Sequence, residues 1–195
     1  MFKNIEDATD QLIEILPALD KSWLLVPISE SGEKIADIIS EKLGLESKRV
    51  FTQSIFCKKN IDCEIAMISE FKDVIFDEVL QKSFEINRES LLESIEVMYD
   101  YKLIQEIERC RGIKDLFSIS EHISKVLIID ETIETGLRME LAIKTLKRFQ
   151  LETISIAIPI VPEQMFSLFE KSVKNIFYSQ KVEFYTEIKD YYKER

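Results

Sequence analysis

The sequence is poor in residues that form disulfides or bind zinc, because its 195 residues include three cysteines and one histidine. Cys57, Cys63 and Cys110 are odd in number and lack the paired short gaps of a zinc site, which His122 alone does not complete. A disulfide framework and a structural zinc site are therefore excluded. A reducing, cytoplasmic setting is expected.

Basic residues are also scarce, with 26 against 36 acidic ones and a formal net charge of -10. A chain with this balance is not expected to bind the backbone of nucleic acids or an anionic lipid surface. Apolar stretches stay well short of the about 20 residues that a membrane span requires. The start of the sequence, 1–7, is acidic and does not resemble a secretory signal. We expect neither nucleic acid nor a membrane as a partner.

Glycine and proline are rare as well, four of each, so most of the chain is free to form regular elements. Apolar residues at helical spacing alternate with short, continuous apolar runs. This alternation is typical of a parallel sheet covered by helices on both faces. With no internal repeat and no linker, one domain over 1–195 is the simplest organisation. The predicted helices are about 5–16, 33–43, 87–112, 137–149 and 163–172, and the predicted strands are 23–26, 50–56, 125–129, 154–158 and 174–178.

The loop after the predicted strand 125–129 carries the most distinctive group of residues. Asp130 and Glu131 follow the strand, and Thr135 and Gly136 precede the next helix. In parallel sheets, ligands bind at the carboxyl ends of the strands. Adjacent carboxylates can hold sugar hydroxyls or a hydrated magnesium ion, and N–H groups at a helix start can bind a phosphate. The alternative is that both acids are ordinary solvated loop residues.

The segment 126–139 resembles the signature of type I phosphoribosyltransferases, which is an apolar strand, two acids, two variable residues, a small residue, Thr and Gly. The similarity extends to the strand–loop–helix unit around Pro27, to 158–162 and to the ending 184–192. The resemblance implies an α/β fold, doubly wound, with a mainly parallel central sheet flanked by helices and a small hood subdomain near 50–85. It also implies transfer of the 5-phosphoribosyl group from phosphoribosyl pyrophosphate to a nitrogenous, purine-like base in the presence of Mg²⁺.

The resemblance further assigns roles to residues of this chain. Asp130 and Glu131 would hold the ribose hydroxyls and stabilise the positive charge that develops on the sugar, directly or with Mg²⁺ held through water. Glu134 occupies the position of an acid that faces the base in 6-oxopurine phosphoribosyltransferases, so it joins the two as a catalytic candidate. The alternative is that Glu134 only complements the dipole of the helix that follows. The phosphate-binding candidates are Glu134, Thr135, Gly136, Leu137 and Arg138, and the pyrophosphate-loop candidates are Ile28, Ser29, Glu30, Ser31 and Gly32.

The chain departs from the family pattern at several of these positions. Glu131 is one methylene longer than the usual Asp, and Arg138 replaces a phosphate-binding Thr. Glu30 places an acid in the pyrophosphate loop, and Ile55 and Phe56 replace the basic pair expected after the next strand. Lys58 and Lys59 could substitute for that pair only if the loop shifts, and a solvated hood tip is the simpler expectation for them.

These departures favour an alternative function, a catalytically degenerate regulatory module that binds a nucleotide or phosphoribosyl pyrophosphate. A receiver-type signalling domain is disfavoured because no acid pair follows the first strand. The stripe Leu91, Ile95 and Met98 is expected to pack in the core or in a homodimer. Phe184 and Tyr185 could cover a base, although aromatic residues are more often part of the core.

Overall fold

The computed structural model describes residues 1–112 and 117–194, and the chain forms two compact units. The parallel-sheet unit comprises Met1–Arg49, Ile119–Gly136 and Phe149–Arg195, and the antiparallel-sheet unit comprises Val50–Ser118 and Leu137–Arg148. The prediction of one domain over 1–195 stays a prediction. The helices are α1 (Ile5–Ile15), α2 (Glu30–Leu43), α3 (Glu78–Ser83), α4 (Arg88–Met98), α5 (Ile104–Arg111), α6 (Leu137–Leu146) and α7 (Glu163–Phe169), and the strands are β1 (Trp23–Pro27), β2 (Glu46–Ser47), β3 (Thr52–Cys57), β4 (Asn60–Ser69), β5 (Val74–Phe76), β6 (Lys125–Ile129), β7 (Thr153–Pro162) and β8 (Ile176–Val182).

Five parallel strands in the order β2-β1-β6-β7-β8 form the larger sheet. Together with the flanking helices and the small second sheet, they confirm the predicted fold class. The strand that follows β1 in the chain, β2, lies on one side of it, whereas β6 lies on the other. The strand order therefore reverses between β1 and β6, which is where open parallel sheets bind ligands.

The core of the parallel-sheet unit explains why β1 and β6 are continuous apolar runs. Leu25, Leu127 and Ile129 are fully buried and form one cluster with Ile35 and Ile39 of α2. Each fully buried side chain of this kind contributes about 1.5–3 kcal/mol relative to an exposed one. The two strands thus have little freedom to change register, and Pro27 is fixed opposite Ile129.

Helix α2 begins earlier than the predicted start at residue 33. Ser29 caps it, since its side-chain oxygen accepts a hydrogen bond of 2.9 Å from the Gly32 N–H, and the helix begins at Glu30. Serine is a favoured cap because its oxygen satisfies an N–H that has no partner within the helix. Three of the five pyrophosphate-loop candidates, Glu30, Ser31 and Gly32, therefore lie in a helical turn rather than in an open loop.

Strand β7 continues through Pro159, beyond Ile158, where the predicted strand ended. Its pairing with β6 stops at Ala157, while its pairing with β8 continues to Pro162. Pro159 therefore lies in a stretch with a paired strand on one side only, where a residue without an N–H is tolerated. The strand predicted at 174–178 is likewise longer and later, Ile176–Val182.

The antiparallel-sheet unit contains β3, β4 and β5 in that order, within the range predicted for the hood. The long helix predicted at 87–112 is present as α4 and α5 joined by a π-helical turn, Tyr99–Leu103. Leu91 and Ile95 are buried in the core of this unit, and Met98 packs against them. The apolar stripe of this helix is thus core packing.

The two chain ends of the parallel-sheet unit are bound to each other. The Phe2 N–H donates to the Tyr191 carbonyl at 2.8 Å, and the Lys193 N–H donates to the Phe2 carbonyl at 2.9 Å. Phe2 is fully buried, and its ring lies 5.6 Å from that of Tyr192. This contact fixes the C-terminal segment that carries Tyr185.

Over the two described ranges, no helix is both long and apolar enough to cross a membrane.

Gly32 permits the close approach of α2 to the end of β6. A Cβ atom at this position would lie 2.6 Å from the Ile129 carbonyl oxygen and 3.1 Å from the Asp130 Cα. Because both contacts are backbone atoms, Gly32→Ala is expected to lower the free energy of unfolding by about 1–3 kcal/mol. Urea denaturation measures this loss, and Glu41→Ala, at an exposed site on the same helix, is the control. Equal stability of the two variants would contradict the close approach.

Candidate functional site

The carboxyl ends of β1 and β6 bring two loops of the parallel-sheet unit together. The Ile28 N–H donates to the Ile129 carbonyl at 3.1 Å, which extends the pairing by one residue beyond β1. Ile28 is buried, and Gly32 contacts the backbone of Ile129 and Asp130. The segments 28–32 and 130–136, about a hundred residues apart in sequence, therefore meet at the point where the strand order reverses.

Asp130 and Glu131 are buried at the end of β6, with 7% and 4% of their surface exposed. The Ser29 hydroxyl donates to Asp130 Oδ1, and the Glu131 N–H donates to the same oxygen at 2.8 Å. A buried carboxylate needs such donors, because losing its hydration is otherwise costly. This burial excludes the alternative that the two acids are solvated loop residues, and it fixes the orientation of Asp130.

The loop after β1 presents carboxylates rather than positive charge. Glu30 is exposed in the first turn of α2, and Glu33 in the same turn pairs with Arg49 at 3.1 Å. The Ser29 and Ser31 hydroxyl oxygens lie 3.2 Å apart. Since Ser29 already accepts the Gly32 N–H, one of the donors that a pyrophosphate would use is engaged within the protein.

The second half of the site loop makes the turn toward α6. Thr135 is exposed, whereas Gly136 is buried with a φ of +86°, a conformation that favours glycine. A Cβ on Gly136 would also lie 3.4 Å from Met165 Sδ. Leu137 and Arg138 form the start of α6, which belongs to the antiparallel-sheet unit.

Glu134 is held by an aromatic residue from the C-terminal segment. The Tyr185 hydroxyl donates to Glu134 Oε1 at 3.1 Å. The Tyr185 ring stacks on that of Tyr191, with centroids 5.8 Å apart. Burial, followed by the negative charge of Glu134, raises the pKa of Tyr185 above its ordinary value. At neutral pH the phenol is therefore a donor, and it fixes the Glu134 carboxylate at the edge of the site.

Two features of this site escape sequence reasoning. The link from Ser29 to Asp130 joins residues 101 positions apart, and the sequence signals only that a serine precedes a helix. Of the two interpretations of Phe184, core packing is wrong, because 78% of the residue is exposed. The Tyr185 contact with Glu134 has no sequence signal, since it depends on how the C-terminal segment is fixed.

The acidic residues present would suit magnesium only together with a ligand. Within 1–112 and 117–194, no group of three or more His, Cys, Asp or Glu side chains is placed to hold a metal ion. Two adjacent carboxylates are nevertheless a usual protein contribution to Mg²⁺ sites that are completed by water and substrate phosphates. Asp130 and Glu131 meet that requirement.

Comparisons with solved structures support the fold. The chain is similar to TT1426 from Thermus thermophilus, with 17% identity over 98% of this chain and 89% of that one and a TM-score of 0.72. AQ2163 from Aquifex aeolicus has 11% identity over 90% of this chain and 72% of that one, with a TM-score of 0.50. A hypoxanthine phosphoribosyltransferase from Staphylococcus aureus has 13% identity over 91% of this chain and 72% of that one. Its TM-score of 0.46 is too low to support an inference.

At these identities the likeness to TT1426 and AQ2163 establishes a shared α/β fold and nothing about activity. No family model and no curated protein matches the sequence.

The contact between Tyr185 and Glu134 predicts how one phenol titrates. Glu134→Gln removes the negative charge that disfavours the phenolate, so the pKa of Tyr185 is expected to fall while remaining raised by burial. An ultraviolet titration of phenolate absorbance measures it, and loss of the last-titrating component in Tyr185→Phe identifies the residue.

The matched control is Glu183→Gln, an exposed carboxylate on the same segment as Tyr185. In the unfolded state Tyr185 has its ordinary pKa of about 10, whereas in the folded state its pKa is raised. The protonated phenol therefore contributes fully to the free energy of unfolding below pH about 10, and this contribution declines as the pH rises above that value. An unchanged titration in Glu134→Gln would refute the contact.

Proposed function

We propose that the chain is a phosphoribosyltransferase that transfers the 5-phosphoribosyl group from phosphoribosyl pyrophosphate to a purine-like base. The observation that supports this most is the pair of buried, adjacent carboxylates Asp130 and Glu131 at the end of β6. They lie where the strand order reverses and are followed by the Thr135–Gly136 turn that leads into a helix. This is the arrangement that the sequence resemblance implies.

In the proposed reaction the bond from ribose C1 to the pyrophosphate oxygen breaks as a bond to a base nitrogen forms. Positive charge develops on the sugar ring in the transition state. Asp130 and Glu131 hold the ribose hydroxyls, and their negative charge stabilises the ring, which is the kind of fixed electrostatic effect that often dominates catalysis. Ser29 orients Asp130 in advance by donating to Oδ1.

Glu134 is proposed to face the base. Its carboxylate would accept a hydrogen bond or a proton from the ring as the nitrogen attacks, and the Tyr185 hydroxyl fixes its orientation. The 5′-phosphate is expected to accept hydrogen bonds from the backbone N–H groups of 134–138, at the end of the loop and the start of the next helix. The Thr135 hydroxyl would donate another.

Mg²⁺ is proposed to arrive with phosphoribosyl pyrophosphate. The ion would neutralise charge on the pyrophosphate oxygens. The residues that would hold it are Asp130 and Glu131, through water, which agrees with a donor set of two carboxylates. Glu30 would repel the pyrophosphate leaving group. Neutralisation of the pyrophosphate by the metal ion would therefore be needed more in this chain than in a protein whose pyrophosphate loop is basic.

The direct test is calorimetry with phosphoribosyl pyrophosphate and Mg²⁺, followed by a pyrophosphate-release assay with a panel of purine and pyrimidine bases. Saturable binding with release that depends on one base supports the proposal. Binding without release from any base supports the second function described below. Absence of binding to phosphoribosyl pyrophosphate, GMP and ribose 5-phosphate refutes both.

Asp130→Asn separates a catalytic role from ligand binding. The amide oxygen can still accept from Ser29 and from the Glu131 N–H, so the local structure is preserved while the charge is lost. We expect turnover to fall about 100-fold or more, and GMP affinity to fall less than about tenfold, because the charge acts mainly in the transition state. Asp37→Asn, at an exposed position of α2, is the control.

Equal losses of turnover and GMP affinity in Asp130→Asn would instead indicate that the carboxylate only binds hydroxyls in the ground state. Steady-state kinetics and calorimetry on the same preparations distinguish these outcomes.

A second function, a regulatory module that binds a nucleotide without turnover, is favoured by the loop after β1. Glu30 adds negative charge where a pyrophosphate would lie, and Ser29 uses the Gly32 N–H as its own capping partner. A ligand with a single 5′-phosphate avoids both obstacles, because the proposed phosphate loop lies at the end of β6. Such a module would bind nucleoside monophosphates in preference to phosphoribosyl pyrophosphate.

Glu30→Gln tests whether this acid opposes pyrophosphate. We expect affinity for phosphoribosyl pyrophosphate to rise about threefold to tenfold at low salt, because a like charge is removed at an exposed position. GMP affinity should stay unchanged. Calorimetry at two salt concentrations measures both, and an equal effect on the two ligands would show that Glu30 does not face the pyrophosphate side.

A further inference from the structure

The antiparallel-sheet unit contains a cavity of about 360 Å³ between the end of the β3–β4 hairpin and α4. This volume lies within the range of about 300–1,000 Å³ that is usual for small-molecule sites. One face of α4 lines it, formed by Ser90, Leu91, Ser94 and Met98 at spacings of one helical turn. The described residues that line the cavity all belong to this unit.

The interior of the cavity is apolar. Ile55, Ile65 and Leu91 line it and are each 3% exposed. Phe56 also lines it although 47% of this residue is exposed, at a point where the pairing of β3 with β4 is irregular. Irregularities of this kind redirect side chains, and here a half-exposed aromatic residue is part of the lining. The cavity thus offers a ligand mainly hydrophobic contact.

Two lysines and one glutamate are among the residues that line the cavity. Lys59 Nζ donates to the Phe84 carbonyl at 2.7 Å, which ties the hairpin to the segment before α4. Lys58 is exposed, and within the described residues it forms neither a hydrogen bond nor an ion pair. Glu85, with a φ of +51°, is the single acid among the described lining residues. Lys58 is therefore the cation available to a ligand.

We infer that this cavity binds an apolar monoanion, such as a linear carboxylate, whose hydrocarbon part lies on Ile55, Ile65 and Leu91 and whose charge pairs with Lys58. Hydrophobic burial supplies most of the affinity, and the ammonium selects the sign of the charge. Two lysines in one lining are a local exception in a chain of net charge -10. Glu85 in the same lining disfavours a dianion.

Octanoate is the probe, compared by calorimetry with octanol and octylammonium, which share its chain length and differ in charge. We expect one saturable site with the order octanoate, octanol, octylammonium from tightest to weakest. Lys58→Gln should weaken octanoate about threefold to tenfold at low salt and leave octanol unchanged. Equal or tighter binding of octylammonium, or no saturable binding of octanoate, overturns the inference.

Ser94→Phe locates the site by filling the cavity from α4. Octanoate binding should be lost in this variant and retained in Glu93→Phe, a substitution at the neighbouring exposed position that does not line the cavity. Thermal melting of both variants verifies that they fold, and Lys58→Gln provides a surface substitution that leaves the interior intact. Retained octanoate binding in folded Ser94→Phe, or displacement of octanoate by GMP, places the ligand elsewhere and overturns the inference.

Discussion

The approach of the first turn of α2 to the end of β6 is the constraint on which the candidate site depends. Only hydrogen at the α-carbon of residue 32 fits beneath the Ile129 carbonyl, since a Cβ would lie 2.6 Å from that oxygen. This proximity allows the Ser29 hydroxyl to serve two partners, the start of its own helix and the buried Asp130. The site's electrostatics therefore follow from a packing requirement between two segments of backbone.

The distribution of charge around the site is unusual for a protein that would bind polyphosphates. Asp130 and Glu131 are buried at the end of β6, where Asp130 accepts two hydrogen bonds, while Glu30 and Glu33 add carboxylates at the start of α2. A helix start ordinarily favours anions through its free N–H groups, but here the protein's own side chains provide the negative charge. An anion at the start of α2 would therefore meet carboxylates as well as N–H groups.

The C-terminal segment, 183–193, supports the loop after β6 although it lies far from that loop in the sequence. It is fixed by backbone hydrogen bonds to Phe2 and by the buried ring of that residue. Tyr185 reaches Glu134 from this fixed segment, so the contact of Phe2 with 191–193 helps to support the loop after β6. The antiparallel-sheet unit has its own core, formed around Ile55, Ile65 and Leu91, and its own cavity.

The sequence by itself determined the class of fold, the strand 125–129 and the loop that follows it, because continuous apolar runs and helical spacing are local patterns that the core preserves. It misplaced the start of α2 and the end of β7, since a serine cap and the loss of a neighbouring strand are decided by contacts rather than by composition. Only the tertiary structure decided that Asp130 is buried beneath Ser29 and that Tyr185 holds Glu134. Both contacts join segments far apart in the chain, and their geometry exists only after the strands have paired.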